Sequence, residues 1–172
     1  MTMLLAGCDL AALSGVIAGE EDVEIPGERE GLVELGVEDL VEKHYEFLEN
    51  KMIDHFTHTL NPEDFKAPSQ IIPEYESENN GEFGEAEPIT REEYAKEYEE
   101  KLSEGYDFAF EIRREAEDPD KTDLKAVYEA EVEMTVGTPG DEKIIFDYDV
   151  YMELHSPVDR GWHITVIEKN SK

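Results

Sequence analysis

The chain has 172 residues, 45 of them acidic and 15 basic, giving a formal net charge of −30. Phosphate backbones and anionic lipid surfaces need a basic partner, so this balance excludes nucleic acid and electrostatic docking on membranes. The single cysteine, Cys8, excludes an intrachain disulfide, and no apolar run is long enough to span a bilayer. The acidity has two readings. One is adaptation to high salt, where screening removes the self-repulsion; the other is an ordinary acidic secreted protein. The size of the repulsion favours the halophilic reading, although the excess is mostly Glu and Lys outnumbers Arg.

In chain order, Leu5-Ala6-Gly7-Cys8 comes first. It resembles a lipobox, the cleavage site of bacterial-type lipoproteins, with small residues before a thiol that takes the lipid. A signal of this kind needs a charged region and an apolar stretch of about 7–15 residues. Only Met1 to Ala6 precede the site, with no basic residue. Either the true start lies upstream of Met1, or the match is chance. On the first reading Cys8 is the lipid-attachment site and the protein is extracytoplasmic and anchored to the cell membrane. If Met1 is the true start, it is cytoplasmic. Residues 9–31, acidic with Pro26 and Gly27, suit a tether, so 1–31 is read as anchor and tether and 32–169 as one domain.

Val37, Leu40, Val41, His44, Leu48, Met52, His55 and Phe56 recur at helical spacing and predict one long helix over 37–60, ended by Asn61-Pro62. Residues 62–88 carry Pro62, Pro68, Pro73, Pro88, Gly81 and Gly84. They are expected to hold a short helix near 62–66 and a mobile acidic segment at 74–87. Thr90-Arg91-Glu92-Glu93 is a capping box opening a helix to about Ser103, with Tyr94, Tyr98 and Leu102 on one face. Four strands follow, over about 106–115, 123–136, 143–155 and 161–168. In the second, Leu124, Ala126, Tyr128, Ala130, Val132, Met134 and Val136 alternate with mostly charged residues; in the third, Ile144, Phe146, Tyr148, Val150, Met152 and Leu154 do the same. Short turns join them, Thr138-Pro139-Gly140-Asp141 reading as type II. The result is an antiparallel meander with one dry face, which the long helix must cover.

Helix, acidic gap, shorter helix, then a meander closing on Gly161-Trp162-His163-Ile164: this order resembles the NTF2-like, cystatin-like α+β superfamily, in particular its small secreted lipoproteins. The resemblance covers about Val37 to Glu168 and rests on pattern rather than a catalytic motif. It implies a cone of sheet and helix with Trp162 packed across it. The superfamily contains isomerases, dehydratases and modules with no chemistry, so fold alone does not set function.

An enzyme of this shape needs an ionisable group inside the cone. The inward positions offer His44, Tyr45, Tyr128, Tyr148 and Trp162, which are the candidate ligand-binding residues, and no carboxylate. Glu131, Glu133, Asp147 and Asp149 fall on the opposite face provided no bulge shifts the register. His155 and His163 oppose Leu154 and Trp162 and are expected on the outer face. Asp54, His55 and His58 lie within about one turn, but no further strong ligand accompanies them, so no metal, cofactor or catalytic residue is expected. The reading is therefore a non-catalytic binding or interaction module for an apolar small ligand or a protein. The alternative is a small-molecule isomerase or hydrolase-type enzyme in the same cone.

Overall fold

A computed structural model of the chain describes residues 30–75, 81–157 and 160–172. Cys8 and the tether up to residue 29 lie outside the described residues. Four long strands dominate: β5 (Asp107–Ala116), β6 (Lys125–Gly137), β7 (Lys143–His155) and β8 (His163–Ser171). Each pairs antiparallel with the next, so the expected meander is present within two or three residues of its predicted bounds. The alternation explains it. Tyr128, Val132, Met134, Phe146, Tyr148, Met152 and Leu154 are buried, and Tyr148 stands opposite Val132 as Phe146 does Met134. Glu131 and Asp149 pair on the other face, where Arg114 and Lys172 meet Glu131 at 2.7 and 2.8 Å.

The helices cover the dry face, but the predicted helix 37–60 is two helices. α1 (Val37–Glu49) buries Leu40, Val41, His44, Tyr45 and Leu48 against β5 and β6. It ends at Asn50, Lys51 takes a left-handed φ of 62°, and the Met52 N–H reaches back to the Phe47 carbonyl at 2.8 Å. With Lys51 N–H on Leu48 O, this is a Schellman closure with lysine where glycine is usual. A new short helix, α2 (Ile53–Thr57), then buries Phe56. The turn lets Phe47 and Phe56 both face the core, which a straight rod of this pattern would not. α3 (Arg91–Ser103) starts where the capping box predicts, with Glu93 N–H on Thr90 Oγ1 at 3.0 Å and Thr90 N–H on Glu93 Oε2 at 2.7 Å.

The segment between α2 and α3 differs from expectation. No helix forms at 62–66, because the Asn61 side-chain oxygen accepts from the N–H groups of Glu63 and Asp64 and holds a turn instead. β1 (Lys66–Pro68) follows and touches β8 in parallel at Lys66 and Val166. β2 (Glu74–Tyr75) pairs with β3 (Gly81–Glu82), and β4 (Ala86–Pro88) pairs with β1. The described parts of 74–87 thus carry strand pairing rather than the mobile segment expected. Among the described residues the main sheet has six strands and is mixed, in the order β4-β1-β8-β7-β6-β5. One turn also differs: in the β6–β7 hairpin the positive φ falls on Asp141 (66°) and not on Gly140, so the type II assignment does not hold. At the β7–β8 corner Gly161 has φ +73°, and an added Cβ would meet the Val33 carbonyl oxygen at 2.6 Å. That close approach fixes the start of the last strand on the 3-10 turn Glu30–Leu32 and the residues after it.

Candidate active site: a buried lysine in an aromatic cage

The site is set by a bulge in β8. Ile164 stands opposite Leu154, but Val166 stands opposite Glu153, so Thr165 is an extra residue in the ladder. An unbroken strand beginning with Ile164 inward would next point Val166, Glu168 and Asn170 inward. After the bulge the inward set is Ile167, Lys169 and Ser171, opposite Met152, Val150 and Tyr148. Glu168 and Asn170 are exposed, and Lys169 is 6% exposed. One inserted residue therefore carries a cation into the core.

The Lys169 ammonium lies 5.0 Å from the Phe83 ring centre, 5.8 Å from those of Tyr94 and Tyr98, and 5.9 Å from that of Tyr148. Its Nζ donates to Tyr98 Oη at 3.3 Å. Tyr94 and Tyr98 are four apart on α3 and so share a face, their rings meeting edge-on at 5.4 Å. Phe83, from the short segment between β3 and β4, meets Tyr148 edge-on at 4.9 Å and is only half-buried. Ring faces attract the cation, but no carboxylate among the described residues pairs with it. Burial pushes the Lys169 amine down to about 7.

Beneath the cage lies His44. The Thr59 hydroxyl donates to Phe56 O at 2.7 Å, so its oxygen accepts from His44 Nδ1–H at 3.0 Å. That holds a neutral ring with Nε2 unprotonated. Burial first, and the Lys169 charge second, lower the His44 pKa to about 3. Tyr45 packs edge-on against His44 at 5.0 Å. The buried hydroxyls of Tyr45, Tyr94 and Tyr148 have no hydrogen-bond partner among the described residues. Tyr45 and Tyr148 approach closely enough to influence one another, as do Tyr94 and Tyr98, but neither pair attains hydrogen-bond geometry. Burial raises the pKa of all four phenols, so they stay protonated and able to donate.

Of the residues expected to line the pocket, His44, Tyr45 and Tyr148 come together here. Tyr128 is inward, but its hydroxyl is occupied by Glu115 at 2.6 Å. Trp162 is half-buried just before β8, under Lys121 at 5.8 Å. Leu154 lies near that end of β7 and Tyr148 in mid-strand, on the order of 20 Å away along the strand. Trp162 thus sits at the β7–β8 corner, away from Lys169, which stands opposite Val150. His163 does pair with His155 on the face opposite Ile164, yet it is buried rather than exposed. Sequence reasoning missed Lys169, Tyr94, Tyr98 and Phe83 as site residues. The available signal was Ile164-Thr165-Val166-Ile167, a run in which alternation lapses. Among the described residues no three His, Cys, Asp or Glu side chains gather as metal ligands.

No family model matches the chain, and no curated protein matches it. Solved structures do. A scytalone-dehydratase-like protein from Novosphingobium aromaticivorans superposes with a TM-score of 0.60 at 12% identity, over 79% of this chain and 81% of that one. A ketosteroid isomerase-like protein from Erwinia carotovora atroseptica gives 0.54 at 14% identity, over 86% and 100%. A protein of the calcium/calmodulin-dependent protein kinase II association-domain type from Xanthomonas campestris gives 0.55 at 14%, over 79% and 85%. At these identities the likeness shows the fold: an α+β, NTF2-like cone, used by enzymes and by assembly domains alike.

Proposed function

We propose that this chain takes a small, largely apolar molecule into its cone, where Lys169 and the tyrosine hydroxyls meet the molecule's polar group. The carrying observation is a lysine 6% exposed among four aromatic rings, with no carboxylate partner among the described residues. Burying an amine and three partnerless hydroxyls costs folding free energy. A ligand carrying acceptors would repay that cost, and the apolar walls suit its body. The test is a fragment screen by amide NMR using simple aromatic acids, phenols and alcohols. Wild type is expected to show shifts around residues 83, 94, 98 and 148, lost in Lys169→Met. Shifts confined to the outer sheet face would contradict the reading and point to a protein-interaction module instead.

The enzyme alternative draws on the same group. A binder needs an apolar hollow with a few hydroxyls, whereas an enzyme needs an ionisable group near its working pH. An amine near 7 meets the second requirement, which favours isomerase- or hydrolase-type proton transfer over passive holding. The lipobox-like run at Cys8 supports a place outside the cytoplasm, with the membrane as partner through a lipid. Expressed with its upstream region, wild type should fractionate with membranes and Cys8→Ser should not. Both forms remaining in the cytoplasmic fraction would dispose of the anchor.

A further inference from the structure

We propose that Lys169 captures a carbonyl compound, an aldehyde or ketone with an apolar body, as a Schiff base inside the cone. This rests on the reading of the cone as a small-molecule site and names the class of molecule. Three features of the cage point to it. Among the described residues Nζ has no carboxylate to hold it as an ammonium, and it donates to a phenol, Tyr98. The hydroxyls of Tyr94 and Tyr148 belong to rings within 6 Å of Nζ and make no well-formed hydrogen bond among the described residues, so a carbonyl oxygen could accept from them. The walls are aromatic, so water is scarce and the equilibrium that hydrolysis would otherwise reverse is protected.

The step balances without an oxidant or reductant. The Nζ lone pair attacks the carbonyl carbon, and an N–H proton passes to the carbonyl oxygen, with Tyr98 Oη placed to relay it. The carbinolamine then loses its hydroxyl with a second proton as water, leaving a C=N bond to Lys169. The groups facing Nζ from the packed elements are Tyr94 and Tyr98 from α3, Tyr148 from β7 and Phe83 from the segment before β4. His44 and Tyr45 of α1 lie beyond them. None carries a charge at neutral pH, so among the described residues no anion holds the amine as an ammonium. Its lowered pKa supports the geometry, because an ordinary lysine at pH 7 is almost wholly ammonium.

The experiment incubates the whole chain with benzaldehyde and sodium cyanoborohydride at pH 7 and follows N-benzyl modification by peptide mass spectrometry. Lys169 is expected to be modified at least about tenfold faster than any other lysine, because its free-amine fraction is larger. Its rate should rise between pH 6 and 8 with a midpoint near 7. Phe83→Ala, which uncovers the half-buried side of the cage, should accelerate it. Lys169→Met should abolish the fast phase while keeping the amide spectrum of a folded protein. Modification of Lys169 no faster than the surface lysines overturns the Schiff base. Benzyl alcohol, which cannot form one, separates the two ideas. If it shifts amides around the cage while benzaldehyde is not trapped, the pocket stands and the covalent step falls. If neither compound registers, both fall.

Discussion

At the scale of single residues, Lys169 and His44 make stability depend on pH in two windows. Lys169 has a folded pKa near 7 against about 10.4 in an unfolded chain. Between those values the unfolded state holds the extra proton, so stability should rise with pH from about 7 toward 9.5, by at most about 1.4 kcal/mol per unit. Above that range the buried tyrosines act in the opposite sense, since an unfolded phenol ionises more readily. Lys169→Met should flatten the rise and increase stability at pH 6, where the buried ammonium is most costly. Urea denaturation of both proteins from pH 6 to 9.5 checks this; parallel curves would mean that Lys169 is solvated. His44 follows the same logic lower down. Its folded pKa near 3 against about 6.5 unfolded means stability present above 6.5 and lost as pH falls toward 3. His44→Gln should lose that acid-side slope relative to wild type.

At the scale of elements, the break after α1 has an exposed lysine in a left-handed conformation. A Cβ there costs roughly 1–2 kcal/mol, which glycine avoids, less glycine's greater freedom when unfolded. Lys51→Gly should therefore stabilise the protein by about 0.5–1 kcal/mol, a melting-temperature gain of about 1–4 °C. A loss would show that the Lys51 side chain matters. Thr90→Ala removes one half of the capping box of α3 and should cost about 1 kcal/mol by denaturant titration. These two ends differ in legibility. Thr90 and Glu93 announce a helix start by type and spacing. The α1 end is hidden, since no Gly or Pro marks it and His55 and Phe56 continue the helical stripe. Only packing decides there, because Phe56 must turn to meet Tyr94 and Tyr98 at 6.0 and 5.4 Å.

For the molecule as a whole, the sheet was legible because every second residue from Ala126 to Val136 and from Ile144 to Leu154 is apolar and most of those between are polar or charged. The cage was not. A bulge at Thr165 reverses which residues face inward, and nothing local distinguishes Lys169 from a surface lysine until the register is known. Residues 81–88, rich in Gly and Glu, gave equally little sign that β3 and β4 form on either side of Phe83. Charge is also a whole-molecule property. Outer-face pairs such as Arg113–Glu133 at 3.0 Å use basic residues already counted in the net charge of −30, so 30 acidic charges have no basic counterpart. Salt weakens these pairs but weakens the more numerous carboxylate repulsions further, so the melting temperature should climb from low to molar KCl. A flat profile would remove the halophilic interpretation of the composition.

The cone is expected to hold an amine poised near neutrality. Lysine side-chain NMR reads it directly, by following the Cε and Nζ resonances of the folded protein from pH 5 to 11. One lysine, absent from the spectrum of Lys169→Met, should titrate with a midpoint near 7. If every lysine titrates within one unit of about 10.4, Lys169 is solvated, and the cage described here does not form the site.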